Sequence, residues 1–573
     1  MKTYNVIDYG LCPDGETPNS DARSVLINGL PDSSTLLFPS GRYYFPKNVI
    51  IKNKKKLTLQ GDGAVLITHF EPCGDPAYVN ELFNFYDCED ILLSDFVITT
   101  DNQIGWSGVV KAVNTEQLYY DVEIYEQFEV TGFEHPIAVN TCDSDGTPDY
   151  LFGNDVWREE ETVIVNGEEK KRFGGHYYDV IGKNLCRFKA GDAESLKKLC
   201  VGEQVCYRFF IYGCCDISLN SVKRALLKNI NIQRASGMAL VISGRSRDVA
   251  LENFNLKAAD GSKELYASNA DGIHINGLGG YLKMKNCEFI GLGDDALNVH
   301  SVPGEISKVL NNGEFDILQP YFNNFAPPKY AKLPEYWAEN GDVIEVYNKA
   351  TFEKTGELTV ESYSDGKLKV SRVQGEPADG NLLINTAFCP SVSISDCTVK
   401  NTRARGFLIR TRDVTIESCF IYGISLPAIL ITPDIVVWHE VGNSRNVLIK
   451  NNTFEKCAII ESPANRGAIA IKSCDDDVNN IDYRSYVHSD IKILNNNFIN
   501  IANSAVYASA TKGLTIAGNS FENCCNNPHN NTEQGIRYDI FAENCADVSV
   551  FGNTTTQNAE KLFMYRDCSD VKD

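Results

Sequence analysis

DIKILNNNF at 490–498 and GLTIAGNSF at 513–521 share one pattern: alternating apolar residues that end in an Asn/Cys-x-Phe-like step. The pattern recurs in DVALENFNL (248–256), YLKMKNCEF (281–289), SVSISDCTV (391–399), DVTIESCFI (413–421) and NVLIKNNTF (446–454). Its spacing is regular. Cys419 follows Cys397 by 22 residues, Phe521 follows Phe498 by 23, and Phe498 follows Phe454 by 44, two such steps. A short strand cannot bury its own apolar face, but a stack of near-identical coils closes a continuous core. A period near 22 with β-branched alternation therefore predicts an all-β fold, a right-handed parallel β-helix of about three strands per coil. A β-sandwich is the competing arrangement, but it has no reason to keep a fixed period of 22. Asn at the strand ends suits turns, and in stacked coils its amide can bond along the stack.

Two stretches interrupt the period. Residues 138–213 are rich in Glu, Lys and aromatics, with a helix-like AESLKKL at 193–199. Residues 303–388 carry strand-and-turn text such as GDVIEVYNKATFEKTGELTVESYSDGKLKVSRV. Both read as inserted β-rich subdomains, the second a small barrel. The expected organisation is a cap and first coils over 1–137, an insertion over 138–213, coils over 214–302, a barrel-like insertion over 303–388 and C-terminal coils over 389–573. The opening YNVIDYG, LLFPSGRYYF (36–45) and LTLQGDGAVLI (57–67) resembles that of pectin-degrading and phage-tailspike β-helices.

The chain of 573 residues carries a net charge of −22. Such a surface repels phosphate backbones and disfavours nucleic acid and polyanionic substrates. The 19 cysteines lack CxxC spacing. Cys287, Cys397, Cys419 and Cys457 sit in apolar runs and read as buried, stacked thiols, which suits a reducing compartment. No apolar leader opens MKTYNVIDYG and no stretch is long enough to span a membrane, so the expectation is a cytoplasmic protein without a membrane partner.

Two acidic steps stand one coil apart: NADGIH at 269–274 and GDDALNVH at 293–300. Strands one coil apart lie about 4.8 Å apart. Asp271 should therefore lie against Asp294 and Asp295. Packed carboxylates repel, so at least one of them holds its proton to higher pH. A protonated carboxyl beside ionised ones is what glycoside hydrolysis uses, an acid for the leaving oxygen and a base for water. The competing readings are turn aspartates and a calcium site. His274 and His300, 26 residues apart, read either as core imidazoles or as groups that bond sugar hydroxyls or tune the acids, with Asn298 between them. Arg403, Arg405, Arg410 and Arg412 form either a solvated stripe or a set that reaches hydroxyls and the acids. Trp438 and Glu440 lie in an irregular break. They read as a stacking platform and a hydroxyl acceptor, or as a packed Trp and a surface Glu.

The ADGIH step, GDDALNVH, the RARGFLIRT stretch and Trp438, Glu440 and Gly442 occur in this order, with a barrel-like insertion between the second and third. This resembles glycoside hydrolase family 110, the α-1,3-galactosidases that remove terminal galactose from blood-group-B-type glycans. The stretch Pro433 to Val437 departs from the family's pattern. The family is related in fold and acid layout to polygalacturonases, but no GHG tripeptide is present here, and Leu408-Ile409-Arg410 only loosely echoes their RIK. The resemblance implies an inverting, exo-acting α-galactosidase. Asp294 would be the general acid, and Asp271 and Asp295 would hold and deprotonate water. His274, Asn298, His300, Arg405, Arg410, Trp438 and Glu440 would bind substrate. It implies a carbohydrate substrate, no cofactor and no metal; an oligomer is possible but not indicated. Another β-helix glycosidase of polygalacturonase type, a lyase and a non-catalytic glycan-binding solenoid remain alternatives.

Overall fold

The computed structural model describes residues 2–572, apart from 70–79, 133, 135, 156–159, 166–167, 174–175, 210–213, 312, 320–332, 435–437, 461–465, 474–485 and 527–536. Its body is a parallel β-helix built from two long ladders of 23 and 12 strands. Each strand pairs with the equivalent strand of the next coil. Phe454, Phe498 and Phe521 stand in line, and their rings stack at 4.9 and 5.2 Å between centroids. The period read from the sequence is this stacking. Inward side chains make one continuous core from Val6 to Val550.

The asparagines at the strand ends do two jobs. Asn495 and Asn500 take up left-handed backbone at the bends. Asn452, Asn496, Asn519 and Asn553 form a ladder in which the side-chain oxygens of Asn496, Asn519 and Asn553 each accept both the backbone N–H and the amide of the Asn one coil earlier, at 2.9–3.0 Å. Buried backbone polar groups at the corners are satisfied in this way. Cys287, Cys397, Cys419 and Cys457 are buried and free.

A seven-stranded antiparallel sheet leaves the body after Thr100 and returns before Cys214. It includes Gly105–Asn114 and Tyr119–Ile124, so it begins ahead of residue 138, where the sequence pattern placed the break. Tyr119–Ile124 alternates apolar and polar residues as a coil does, and Gly105–Asn114 is apolar-rich like the coils, so composition does not separate them. The helix in this insertion is one turn, Ala193–Leu196. A closed six-stranded barrel runs from Pro303–Asn311 to Leu382–Asn385. Its Glu345 is tied to the solenoid by Arg412 at 2.8 Å and Arg445 at 3.1 Å. The barrel leaves the chain directly after Leu297–His300, a strand of the twelve-stranded ladder.

Candidate active site

The site is built at one corner of three neighbouring coils. Ile273–Asn276, Leu297–His300 and Phe407–Ile409 are adjacent in the twelve-stranded ladder, with Ile273 opposite Leu297 and Leu297 opposite Phe407. The turns that enter these strands are stacked as well. Asp271, the pair Asp294-Asp295, and Arg405 each precede their strand by two or three residues, so stacking superimposes them. Gly293 is required by this approach, because a Cβ there would lie 2.4 Å from the Asn269 carbonyl oxygen.

One carboxylate oxygen from each of Asp271, Asp294 and Asp295 lies within 4.8 Å of the others. Asp271 and Asp295 are 5% and 2% exposed, and Asp294 is the most open of the three. Each buried acid has its own partner. Asp271 Oδ2 is 2.8 Å from His274 Nδ1. Asp295 accepts the backbone N–H of Arg405 at 3.0 Å and faces its guanidinium at 3.3 Å. Burial raises Asp271 to about 6, helped by the charge of Asp294 and opposed by the hydrogen bond from His274. Burial also pushes Asp295 well above the usual carboxylate range, with Arg405 working against it and Asp294 and Asp271 adding to it.

A second cluster adjoins the first. The ladder offset here is 24 residues, so His274 stands opposite Asn298, and Asn276 opposite His300. The imidazoles are therefore diagonal neighbours, and side chains of this length meet across a diagonal. Their Nε2 atoms are 3.2 Å apart. Glu440 arrives from the Trp438–Gly442 segment, which is fixed by the Ser301–Val441 and Asp434–Glu440 bridges. Gly442 lets that segment pass, because a Cβ would lie 1.8 Å from the Arg410 carbonyl oxygen. Glu440 accepts from the Asn298 amide at 3.1 and 3.2 Å and from Arg410 Nη1 at 2.5 Å, and lies 3.6 Å from His300 Nε2. Burial alone would raise Glu440. The basic neighbours His300, Arg410 and His274, together with the Asn298 hydrogen bond, overcome it and hold the carboxyl at about 2.

Asp271, Asp294, Asp295, His274, Asn298, His300, Arg405, Arg410 and Glu440 are thus brought together. Trp438 stands apart from these bonds. It is 62% exposed, and its backbone N–H donates to Asp434 at 3.2 Å. Residues 435–437 lie outside the described residues. Arg412 turns away to the barrel's Glu345. Arg208, not singled out in the sequence, is 1% exposed and donates to the Asn269 carbonyl at 2.8 Å. Arg403 holds the Gly293 carbonyl at 3.1 Å. Both brace the turns that carry the aspartates. Nothing in the local sequence marks Arg208, which comes from the far side of the first insertion.

The three aspartates, and His274, His300 and Glu440, are close enough to hold a cation. Arg405 and Arg410 already place guanidinium charge against Asp295 and Glu440. A cavity of about 650 Å³ between solenoid and barrel, lined by Lys223, Arg245, Tyr336 and Phe388 among others, is lined by none of these acids.

The model for the right-handed β-helix region matches residues 382–572. Alpha-1,3-galactosidase B of Bacteroides thetaiotaomicron is 23% identical, covering 96% of this chain and 91% of its own. Alpha-1,3-galactosidase A of Shewanella woodyi is 24% identical, covering 90% and 85%. Among solved structures, the catalytic unit of the GH87 alpha-1,3-glucanase of Streptomyces thermodiastaticus aligns over 100% of this chain and 69% of that one, with a TM-score of 0.42 and 12% identity. The body is a right-handed parallel β-helix, and the chain is similar over most of its length to proteins named alpha-1,3-galactosidases.

Proposed function

We propose that this glycoside hydrolase removes terminal α-1,3-linked galactose from glycans of blood-group-B type, with Asp271, Asp294 and Asp295 as its catalytic groups. The carrying observation is the three-carboxylate cluster, with oxygens within 4.8 Å and two acids buried beside separate partners. Asp294, the most open, protonates the oxygen of the departing glycan as the bond from the anomeric carbon breaks. Asp271 and Asp295 hold a water molecule and take its proton as its oxygen bonds that carbon. One water is consumed, and the acids exchange protons with solvent between turnovers. His274, Asn298, His300, Arg405, Arg410 and Glu440 line the galactose side, and the exposed Trp438 offers its face to the rest of the glycan. The likeness to two alpha-1,3-galactosidases over most of the chain supports the sugar. The net charge of −22 weighs against a polyuronide.

Inversion rests on the family resemblance of the motifs. A second reading has one observation in its favour: the acid oxygens are closer than the roughly 6.5–9.5 Å usual for inverting enzymes. Proton NMR of the sugar first released separates them, since the β-anomer supports inversion and the α-anomer refutes it. The function itself is tested on α-1,3-galactosyl oligosaccharides with and without branching, beside polygalacturonate. Asp271→Asn, Asp294→Asn and Asp295→Asn are each expected to lower turnover at least ~100-fold with the fold intact. Release of uronate in place of galactose, or an active Asp294→Asn enzyme, would refute the assignment.

A further inference from the structure

We propose that His274 and His300 form a pair holding one proton between their Nε2 atoms, and that His274 is a positioning residue whose imidazolium keeps Asp271 ionised and aimed. What Asp271 then does rests on the glycosidase reading; the protonation state of the pair does not.

Hydrogen-bond accounting leads to this pair. A backbone carbonyl cannot donate, so His300 Nδ1, 3.2 Å from the Ser301 carbonyl oxygen, carries a hydrogen. His274 Nδ1 is 2.8 Å from Asp271 Oδ2. An imidazole ordinarily binds a proton more tightly than a carboxyl, so the hydrogen in that bond belongs to His274. With both Nδ1 atoms protonated, two neutral rings, His300 buried and His274 half-buried, would point lone pairs at each other across 3.2 Å. One proton removes the conflict: His274 Nε2–H donates and His300 Nε2 accepts. Placing the charge on His274 puts it against a carboxylate. Placing it on His300 would leave it 3.6 Å from Glu440, whose oxygens already bond Arg410 and Asn298.

Charge around the pair closes on the same assignment. The groups facing it are Asp271, Asp294 and Asp295 from the turns, Glu440 from the Trp438–Gly442 segment, and Arg405 and Arg410 flanking Phe407–Ile409. Arg410 meets Glu440 and Arg405 meets Asp295, so a proton on His274 places the matching charge against Asp271. The surroundings of the two rings act the same way. Burial works against charge on His274, but the hydrogen bond and charge of Asp271 raise it above its usual value. Burial takes His300 down to about 4.

The test is imidazole NMR on the full chain labelled with 15N-histidine, which has eight histidines, with His274 assigned by its loss in His274→Gln. At pH 7 His274 should show both nitrogens protonated and stay so above the pH at which a free imidazole loses its proton, while His300 is neutral with its hydrogen on Nδ1. A neutral His274 at pH 7 would overturn the proposal, whether or not any variant folds. Enzymatically, His300→Gln supplies a carbonyl acceptor for His274 Nε2–H and should keep the alkaline limb of the pH profile in place, whatever it loses in kcat/KM. His300→Leu should lose about 100-fold and move the alkaline limb of the profile to lower pH. Equal losses with an unmoved limb would indicate a merely structural role and overturn the proposal. An intact His274 imidazolium in a chain that cleaves no α-galactoside would leave the pair standing and sink the proposed function instead.

Discussion

Arg410→Leu tests the electrostatic frame of the site most directly. Arg410 is 1% exposed and Glu440 9%, and their contact is 2.5 Å. In the wild type Glu440 is held at about 2, below its ordinary 4.5. A depressed carboxyl contributes stability that is present above 4.5 and lost as pH falls through about 2. His300, the first of the lowering neighbours, is itself held down to about 4 and is neutral at pH 7, so once Arg410 is removed burial dominates and Glu440 takes up a proton on folding. Protonating a carboxyl of ordinary pKa 4.5 at pH 7 costs about 3 kcal/mol, at roughly 1.36 kcal/mol per pH unit. This agrees with the ~3–5 kcal/mol lost when one partner of a buried pair is removed. The variant should therefore be about 3 kcal/mol less stable at pH 7 and regain most of that by pH 5, where the wild type gains nothing from this group. Urea unfolding midpoints at pH 5 and 7 measure it, with Arg410→Leu/Glu440→Gln as the control that removes the stranded charge. A loss under about 1 kcal/mol, or the same pH dependence in the single and double variants, would show that Glu440 does not depend on Arg410 for its charge.

Two further outcomes follow from the same geometry. Asp271, raised to about 6 by burial, must be ionised to accept a proton from water, so kcat/KM should fall below pH about 6. A profile level down to pH 4.5 would mean that another group is the base. Trp438→Ala should raise KM roughly 3- to 10-fold at nearly constant kcat, as expected for loss of stacking on a sugar remote from the reacting bond. A fall in kcat with KM unchanged would place the indole at the chemistry instead.

The repeat alone determined the body of this protein, and it determined that Asp271 would meet Asp294 and Asp295. In a parallel stack a step along the chain equal to one coil becomes a step of one strand spacing in space, so spacing in sequence is distance in the fold. The same logic carried the asparagine ladder and the stacked Phe454, Phe498 and Phe521. It failed wherever the interval between stacked strands is not one coil. Leu297 meets Phe407 only after the barrel, Asn298 reaches Glu440 across 142 residues, and Arg208 supports Asn269 from another subdomain. Those partners were fixed by tertiary packing: by where each insertion returns its chain, by which way a long side chain turns (Arg410 to Glu440, Arg412 to Glu345), and by which buried charge has an opposite charge within reach. A periodic pattern encodes which elements stack. It does not encode side-chain direction or charge compensation, because those depend on neighbours that the period never brings together in sequence.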